Sequence, residues 1–424
     1  MVPVKRYKDL TPAELDKLFN RFGEDFSSIM INTVVPIVND VKENRDEAVK
    51  KYTHKFDGVK LSSVTATEKE ITQGHKNTPK HVLAAFMEAR QNIEEFHRRQ
   101  LRENSIYSRP DGTILGTTYQ AIESAGIYVP GGKASYPSSV LMGVIPAQIA
   151  GTKEITVITP PNKEGKIPDV ILAICKELGV SSIIKSGGAQ GIALAAYGSK
   201  SVNKSEIIVG PGNIFVTAAK TYLFSMGIIQ IDSMAGPSEV LIISDDKSDP
   251  KWVAWDFLSQ AEHEERALAV LVTTSKKLAT EVNKHIKEDI DSGRGRHEIK
   301  KTSIKNGIII LVDSIEEAID FSNKYGPEHM EFMVDNPLEY LDSIKNVGSL
   351  FLGRYAPVAV GDYYSGTNHI LPTGGAARFS CGTSVDTFMR RTTFQLLNKE
   401  SLKKAQGPVN LMSEYEGFDD KHGG

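Results

Sequence analysis

From Gly126 onward the chain alternates short β-rich runs with helix-length segments, and this rhythm restricts the possible folds more than any other feature. Ile155–Thr159 reads as a strand, Val170–Leu178 as a helix stopped by Gly179, and Ser182–Lys185 as the next strand; Ile207–Val209 and Ile228–Ile231 continue the series. A second set follows at Val240–Ser244, Leu268–Thr273, Ile308–Val312, Phe332–Val334 and Ser349–Leu352. Strand–helix–strand alternation implies a parallel sheet built with right-handed crossovers. Two such sets predict two doubly wound α/β units, although no internal sequence repeat is strong enough to prove a duplication.

The N-terminal quarter reads as helical. Thr11 is placed to cap a helix with Pro12 at its first position and Glu14 closing a capping box. Thr78-Pro79 opens a second, amphipathic helix whose apolar face is Val82, Leu83, Phe86, Ile93 and Phe96, with His81 and His97 expected at the surface. Ser292 to Arg296 reads as an exposed loop. Asn398 to Gly424 is polar and helix-poor toward its end, as expected of a tail that docks elsewhere.

Size and charge narrow the functional class. A chain of 424 residues can hold two or three domains. A net charge of −3 supplies no attraction to nucleic acid or to an anionic membrane. No apolar run approaches the roughly 20 residues that span a bilayer, and Met1 to Lys8 lacks the apolar core of a secretory signal. The 2 cysteines, Cys175 and Cys381, make neither a disulfide framework nor a cysteine zinc site, which predicts a reducing, cytoplasmic setting. Cys175 lies on an apolar helix face and reads as core. Cys381 has no neighbour in sequence to lower its pKa, which argues against a nucleophile.

The chemistry-bearing residues sit at turns. Tyr128-Val129-Pro130-Gly131-Gly132, Gly187-Gly188-Ala189-Gln190-Gly191 and Gly210-Pro211-Gly212-Asn213 each follow a β-rich run. Such turns let a phosphate approach backbone N–H groups at a helix N-terminus. None is a Gly-x-Gly-x-x-Gly fingerprint, so a standard Rossmann site is not supported. In Ser259-Gln260-Ala261-Glu262-His263, helical spacing puts Gln260 and His263 on one face, where an amide oxygen and an imidazole could share a metal. His-Glu-x-x-His is absent. Gly361-Asp362-Tyr363-Tyr364-Ser365-Gly366-Thr367-Asn368-His369 reads as a loop carrying another carboxylate and imidazole, with Asp362 suited to a hard metal or zinc. Gly326-Pro327-Glu328-His329 places an acid beside an imidazole on a proline-stiffened turn, the positioning that general acid–base catalysis needs. Glu416 and His422 lie in the tail.

Five stretches in order resemble the histidinol dehydrogenase family: Tyr-Val-Pro-Gly-Gly from Tyr128, Gly-Pro-Gly-Asn from Gly210, Ala-Gly-Pro-Ser-Glu-Val-Leu from Ala235 with Ser-Gln-Ala-Glu-His from Ser259, Gly-Pro-Glu-His from Gly326, and Gly-Asp-Tyr-x-Ser-Gly-Thr-Asn-His-x-Leu-Pro-Thr ending at Thr373. The resemblance implies an α/β fold of two Rossmann-like doubly wound domains with N-terminal helices and a C-terminal tail, in an intertwined homodimer with one zinc per subunit. It implies a first α/β domain from 1–110 and 240–375 carrying the catalytic and zinc residues, an NAD-binding domain at 111–239, and a C-terminal segment at 376–424 reaching the partner subunit. Carried over residue by residue, Glu328 and His329 become the proton-handling pair, and Tyr128, Gln190 and Asn213 match NAD-contacting positions. Gln260, His263 and Asp362 match zinc ligands, with His422 as the fourth. Ser238, His369 and Glu416 match substrate-contacting positions, which the zinc ligands and His329 share, and Glu416 and His422 act in the partner's site.

The reaction so implied is the NAD-dependent four-electron oxidation of L-histidinol to L-histidine through the aldehyde. The tail departs from the family's Glu-Gly-Leu-x-x-His: here Glu416-Gly417-Phe418-Asp419-Asp420-Lys421-His422 has one more residue before the histidine, so Asp419 or Asp420 could ligate instead. That departure, with Gly374-Gly375-Ala376-Ala377-Arg378, leaves room for a related enzyme acting on another small alcohol such as sulfopropanediol. Intact Glu416 and Gly361-Asp362-Tyr363 favour histidinol. A non-catalytic binding protein on the same fold is disfavoured by the presence of both Glu328 and His329.

Overall fold

The computed structural model describes residues 1–21, 26–131, 135–233 and 236–418. In chain order its strands are β1 (Val4–Arg6), β2 (Ser105–Ser108), β3 (Ile114–Ala121), β4 (Ser124–Tyr128), β5 (Glu154–Ile158), β6 (Ser182–Ile184), β7 (Ile207–Val209), β8 (Gln230–Ile231), β9 (Glu239–Ser244), β10 (Leu268–Thr273), β11 (Ile308–Leu311), β12 (His329–Met333), β13 (Ser349–Leu352) and β14 (Met389–Leu396). They form a 5-stranded sheet ordered β6-β5-β4-β7-β8 and a 6-stranded sheet ordered β1-β11-β10-β9-β12-β13, every pair parallel. Leaving out β1, which adds at the edge, the two sheets have the same chain order, with the reversal between β4 and β7 in one and between β9 and β12 in the other. The duplication that no sequence repeat reveals is thus present in topology.

Each sheet is covered on both faces, as parallel sheets require. Along β4 and β5, Ile127 and Val157 face one core while Tyr128 and Ile158 face another. Val240 and Ile242 of β9 likewise face one core, and Leu241 and Ile243 the other. The helix Pro12–Phe19 starts with the expected capping box, Glu14 N donating to Thr11 and the Glu14 carboxylate accepting from Thr11 N. It packs on the helix Ile315–Tyr325 of the six-stranded unit. The later helices Val35–Asp57, Glu68–Asn77 and Lys80–Arg98 pack instead on helices of the five-stranded unit, so much of 1–110 sits there and not with 240–375.

One local expectation needs correction. His97 is not at the surface: it is fully buried, its Nδ1–H donating to Ile93 O (2.8 Å) and its Nε2 meeting Asn368 Nδ2 at 3.3 Å. After Asn398, which caps it, the chain forms a helix, Lys399–Tyr415, which buries only Ser401 and stops before Glu416. A third, antiparallel sheet ordered β14-β3-β2 joins residues far apart in sequence and had no counterpart in the βαβ reading.

Candidate active site

A cavity of about 510 Å³ lies between the two parallel sheets. The five-stranded sheet contributes turns at the carboxyl ends of its strands: Pro130 and Gly131 after β4, and Pro211, Gly212 and Asn213 after β7. The six-stranded sheet contributes Ser238, Glu328 and His329 from the amino ends of β9 and β12. Gln260 and His263 enter from the carboxyl end of the helix Pro250–Ala261, Asp362 from that of Val358–Tyr363, and His369 from the segment beyond.

Glu328 and His329 are not on a solvated turn. They are 7% and 4% exposed, and His329 opens β12 in register with Val240. The chain reaches them through Gly326, the left-handed cap (φ 61°) of the helix Ile315–Tyr325. A Cβ there would lie 3.0 Å from Gly375 O, so both the backbone angle and the space call for glycine. One residue then orients both side chains: Glu239 N donates to Glu328 Oε2 (2.8 Å), and Glu239 O accepts from His329 Nδ1 (3.2 Å). This fixes the proton on Nδ1 and turns Nε2 toward Asp362, whose Oδ1 is 3.3 Å away. Nε2 itself is buried and makes no hydrogen bond among the described residues.

Burial pushes the Glu328 carboxyl up, against the pull of His329. For His329 burial is again the largest influence, but the charges of Glu328 and Asp362 overcome it and hold the imidazole well above its ordinary range. Asp362 is kept low despite burial by the imidazoles of His329, His369 and His263. Burial lowers both His263 and His369. Groups able to gain or lose a proton are therefore packed together with shifted pKa values, the pattern of a catalytic site.

The metal-type donors form one wall. Gln260 is 2% exposed, and its Nε2 has no partner among the described residues. His263 lies just past the helix end, its N–H donating to Gln260 O (3.2 Å), so the expected i, i+3 face survives although the helix stops at Ala261. Asp362 belongs to a helix rather than a loop. The reason is a distant cap: Glu331 Oε1, from β12, accepts from Val358 N (2.8 Å) at that helix's first residue. His369 is held by Nδ1–H donation to Asp362 O (2.9 Å) and by a contact of Nε2 with Ser139 Oγ (3.2 Å). Among the described residues no three of His, Cys, Asp and Glu make a metal cluster; Gln260, His263 and Asp362 all line the cavity.

The positions matched to NAD divide. Asn213 lines the cavity, but its Oδ1 already accepts from Phe215 N (3.1 Å) and Val216 N (3.2 Å), capping the helix Ile214–Ser225. Tyr128 and Gln190 are buried behind the wall, where Tyr128 Oη accepts from Gly188 N (3.4 Å). Glu416 is exposed at the end of Lys399–Tyr415, away from this cavity, and His422, Asp419 and Asp420 lie outside the described residues. Sequence reading missed Glu239, whose partners are up to 218 residues away, and Glu331; the only local hint of Glu239 was its place beside Ser238 in a matched motif.

A cleft between two parallel sheets, lined by glycine turns on one side and by a buried acid–imidazole pair on the other, is the site of an α/β enzyme. The family model for histidinol dehydrogenase matches residues 21–423. The chain is 46% identical to a histidinol dehydrogenase of Methanocaldococcus jannaschii over 98% of its own length and 96% of that protein's. It is 47% identical to one from Leptospira interrogans over 96% and 95% of the two chains. A crystal structure of histidinol dehydrogenase from Elizabethkingia anophelis superposes with a TM-score of 0.91 at 36% identity, covering 98% of this chain and 95% of that one. The chain belongs to the histidinol dehydrogenase family.

Proposed function

We propose that this chain catalyses the NAD-dependent four-electron oxidation of L-histidinol to L-histidine through the aldehyde, with Glu328 and His329 as its proton-handling pair. The observation that carries the reading is the joint orientation of that pair by Glu239, inside a cavity whose opposite wall is made of glycine turns and helix N-termini. Its relatives' common name supports the substrate. In its neutral form, protonated on Nδ1, His329 presents Nε2 to the substrate hydroxyl and takes its proton in the first oxidation. Glu328, with one oxygen held by Glu239 N, takes a proton from the water that attacks the aldehyde; NAD⁺, when bound, would supply the hydride acceptor for each oxidation. Neither step uses a cysteine: Cys175 is buried, with burial raising its thiol pKa, and Cys381 is exposed. The hydride chemistry is the cofactor's; the protein positions groups and moves protons.

Gln260, His263 and Asp362 fit zinc, because they offer an amide oxygen, an imidazole and a carboxylate lining one cavity. Zinc bound there supplies a redox-silent Lewis acid that can anchor an imidazole- and amine-bearing substrate. His422, Asp419 or Asp420 from a second copy completes the set in this reading, with Glu416 and His369 contacting substrate. Support for an intertwined dimer comes from Lys399–Tyr415, which buries almost nothing yet carries exposed Leu402, Leu411, Met412 and Tyr415. No helix among the described residues is long and apolar enough to cross a membrane. The test is steady-state NADH formation from L-histidinol before and after chelation. Two NADH per histidinol, lost on chelation and restored by zinc, is expected; turnover of another small alcohol with none of histidinol contradicts the substrate.

A further inference from the structure

The Glu239 side chain has no part in that mechanism, yet it sits directly behind the catalytic pair in a costly arrangement. It is 2% exposed and forms a two-point ion pair with Arg21, Nε to Oε2 at 2.7 Å and Nη2 to Oε1 at 2.9 Å, while the Arg21 side chain is 8% exposed. A buried ion pair is on average no more stabilising than well-packed apolar residues of the same volume. What it does provide is fixed geometry, since a planar fork against a carboxylate admits one arrangement.

That geometry converges on Glu328 and His329 from two directions. On one side Arg21 holds the Glu239 carboxylate, with Gly374 N donating to Oε1 (3.1 Å) as a third point. The backbone of that same residue holds Glu328 Oε2 and His329 Nδ1. On the other side Arg21 Nη2 donates to Tyr325 O (3.0 Å) and Gly326 O (3.4 Å), the carbonyls that lead into Pro327-Glu328-His329. The guanidinium also lies over the Tyr325 ring, 3.7 Å from its centroid. One side chain from the N-terminal segment thus ties the start of β9 to the turn before β12, the two places that aim the pair.

We propose that Arg21 is a positioning residue for the Glu328–His329 pair, acting through Glu239 and through the carbonyls of the Tyr325–Gly326 turn. The inference rests on the reading of that pair as the proton-handling groups. A small misplacement of catalytic groups is enough to cost on the order of 10²-fold in rate.

The test is a double-mutant cycle on the full-length protein. Arg21→Lys keeps the charge and removes the fork. It is expected to lower kcat for L-histidinal oxidation about ten- to hundredfold while the KM for NAD⁺ stays within about twofold. In a Glu328→Gln background the same substitution should cost less than about twofold, because there is no longer a carboxylate to aim. Glu239→Gln, which preserves shape, runs the same cycle should Arg21→Lys fold poorly. Equal loss in both backgrounds makes Arg21 a structural residue only and overturns the inference, as does a wild-type kcat for Arg21→Lys beside a slow Glu328→Gln. A wild-type rate for Glu328→Gln itself removes the pair's role, and this inference with it.

Discussion

In the five-stranded sheet the cavity opens at the carboxyl ends of β4 and β7, where open α/β sheets ordinarily bind ligands. In the six-stranded sheet, of the same strand order, it opens at the amino ends of β9 and β12. Both sites straddle the point where strand order reverses, on opposite edges. The edge determines the local electrostatics. At carboxyl ends of parallel strands the following helices begin, so Ile214–Ser225 and its neighbours direct N–H groups and positive dipole ends at the cavity, which suits phosphate. At amino ends the preceding helices finish, so Pro250–Ala261 and Ile315–Tyr325 direct carbonyls and negative ends there, which suits a cation or an imidazolium. One half faces the cavity with glycine turns and helix N-termini; the other faces it with ionisable side chains. The buried charges of the backbone half fit this division: Lys220 donates to Gly210 O (3.0 Å) and Asp232 accepts from Gly210 N (2.9 Å), so they stabilise the glycine turn itself.

This division can be broken by experiment. His329→Asn removes a proton acceptor from the side-chain half, and kcat for the oxidation of L-histidinol should fall by about 10²–10⁴ with little change in NAD⁺ affinity; a kcat near wild type would place the chemistry elsewhere. Gly210→Ala strikes the backbone half. Gly210 has φ 125°, and a Cβ there would lie 2.2 Å from Tyr128 O, a backbone atom. The turn must shift, so the KM for NAD⁺ should rise about tenfold or more, with a stability loss of roughly 1–3 kcal/mol. Equal effects on the histidinol and NAD⁺ KM values would blur the two halves into one.

The third effect is smaller and depends on pH. Burial pushes the Asp256 carboxyl up to about 6, and burial together with Asp256 pushes Glu331 up as well. A carboxyl raised in the fold favours the native state while protonated, and that contribution is lost as pH rises from its ordinary range through about 6. Asp256→Asn should therefore match wild-type stability near pH 4 and exceed it by roughly 1–2 kcal/mol near pH 8. A pH-independent difference in urea midpoint would refute buried charge as the cause.

Much of this was legible in sequence because it is local. The strand rhythm, the capping box at Thr11 and the Gly-Pro turns depend on neighbours within a few residues, and the motif residues Ser238, Gln260, His263, Glu328, His329, Asp362 and His369 do line one cavity. The missed features depend on contacts distant in the chain. Asp362 lies on a helix because Glu331 caps it from another strand. His97 lies on the helix face that packs into the core with Ala89 and Ile93, and its ring nitrogen meets Asn368, 271 residues on. Arg21 carries no signal until Glu239 is placed beside it. The shared strand order of the two sheets was equally hidden, because topology can persist when no sequence repeat does.

The central claim is that Glu328 and His329 divide the proton transfers of two successive oxidations. Single-turnover NADH formation by Glu328→Gln, started separately from L-histidinol and from L-histidinal, addresses it directly. Retention of most of the first-step rate with a loss of about 10²-fold or more in the second is the expected result. Equal loss in both steps would contradict the assignment.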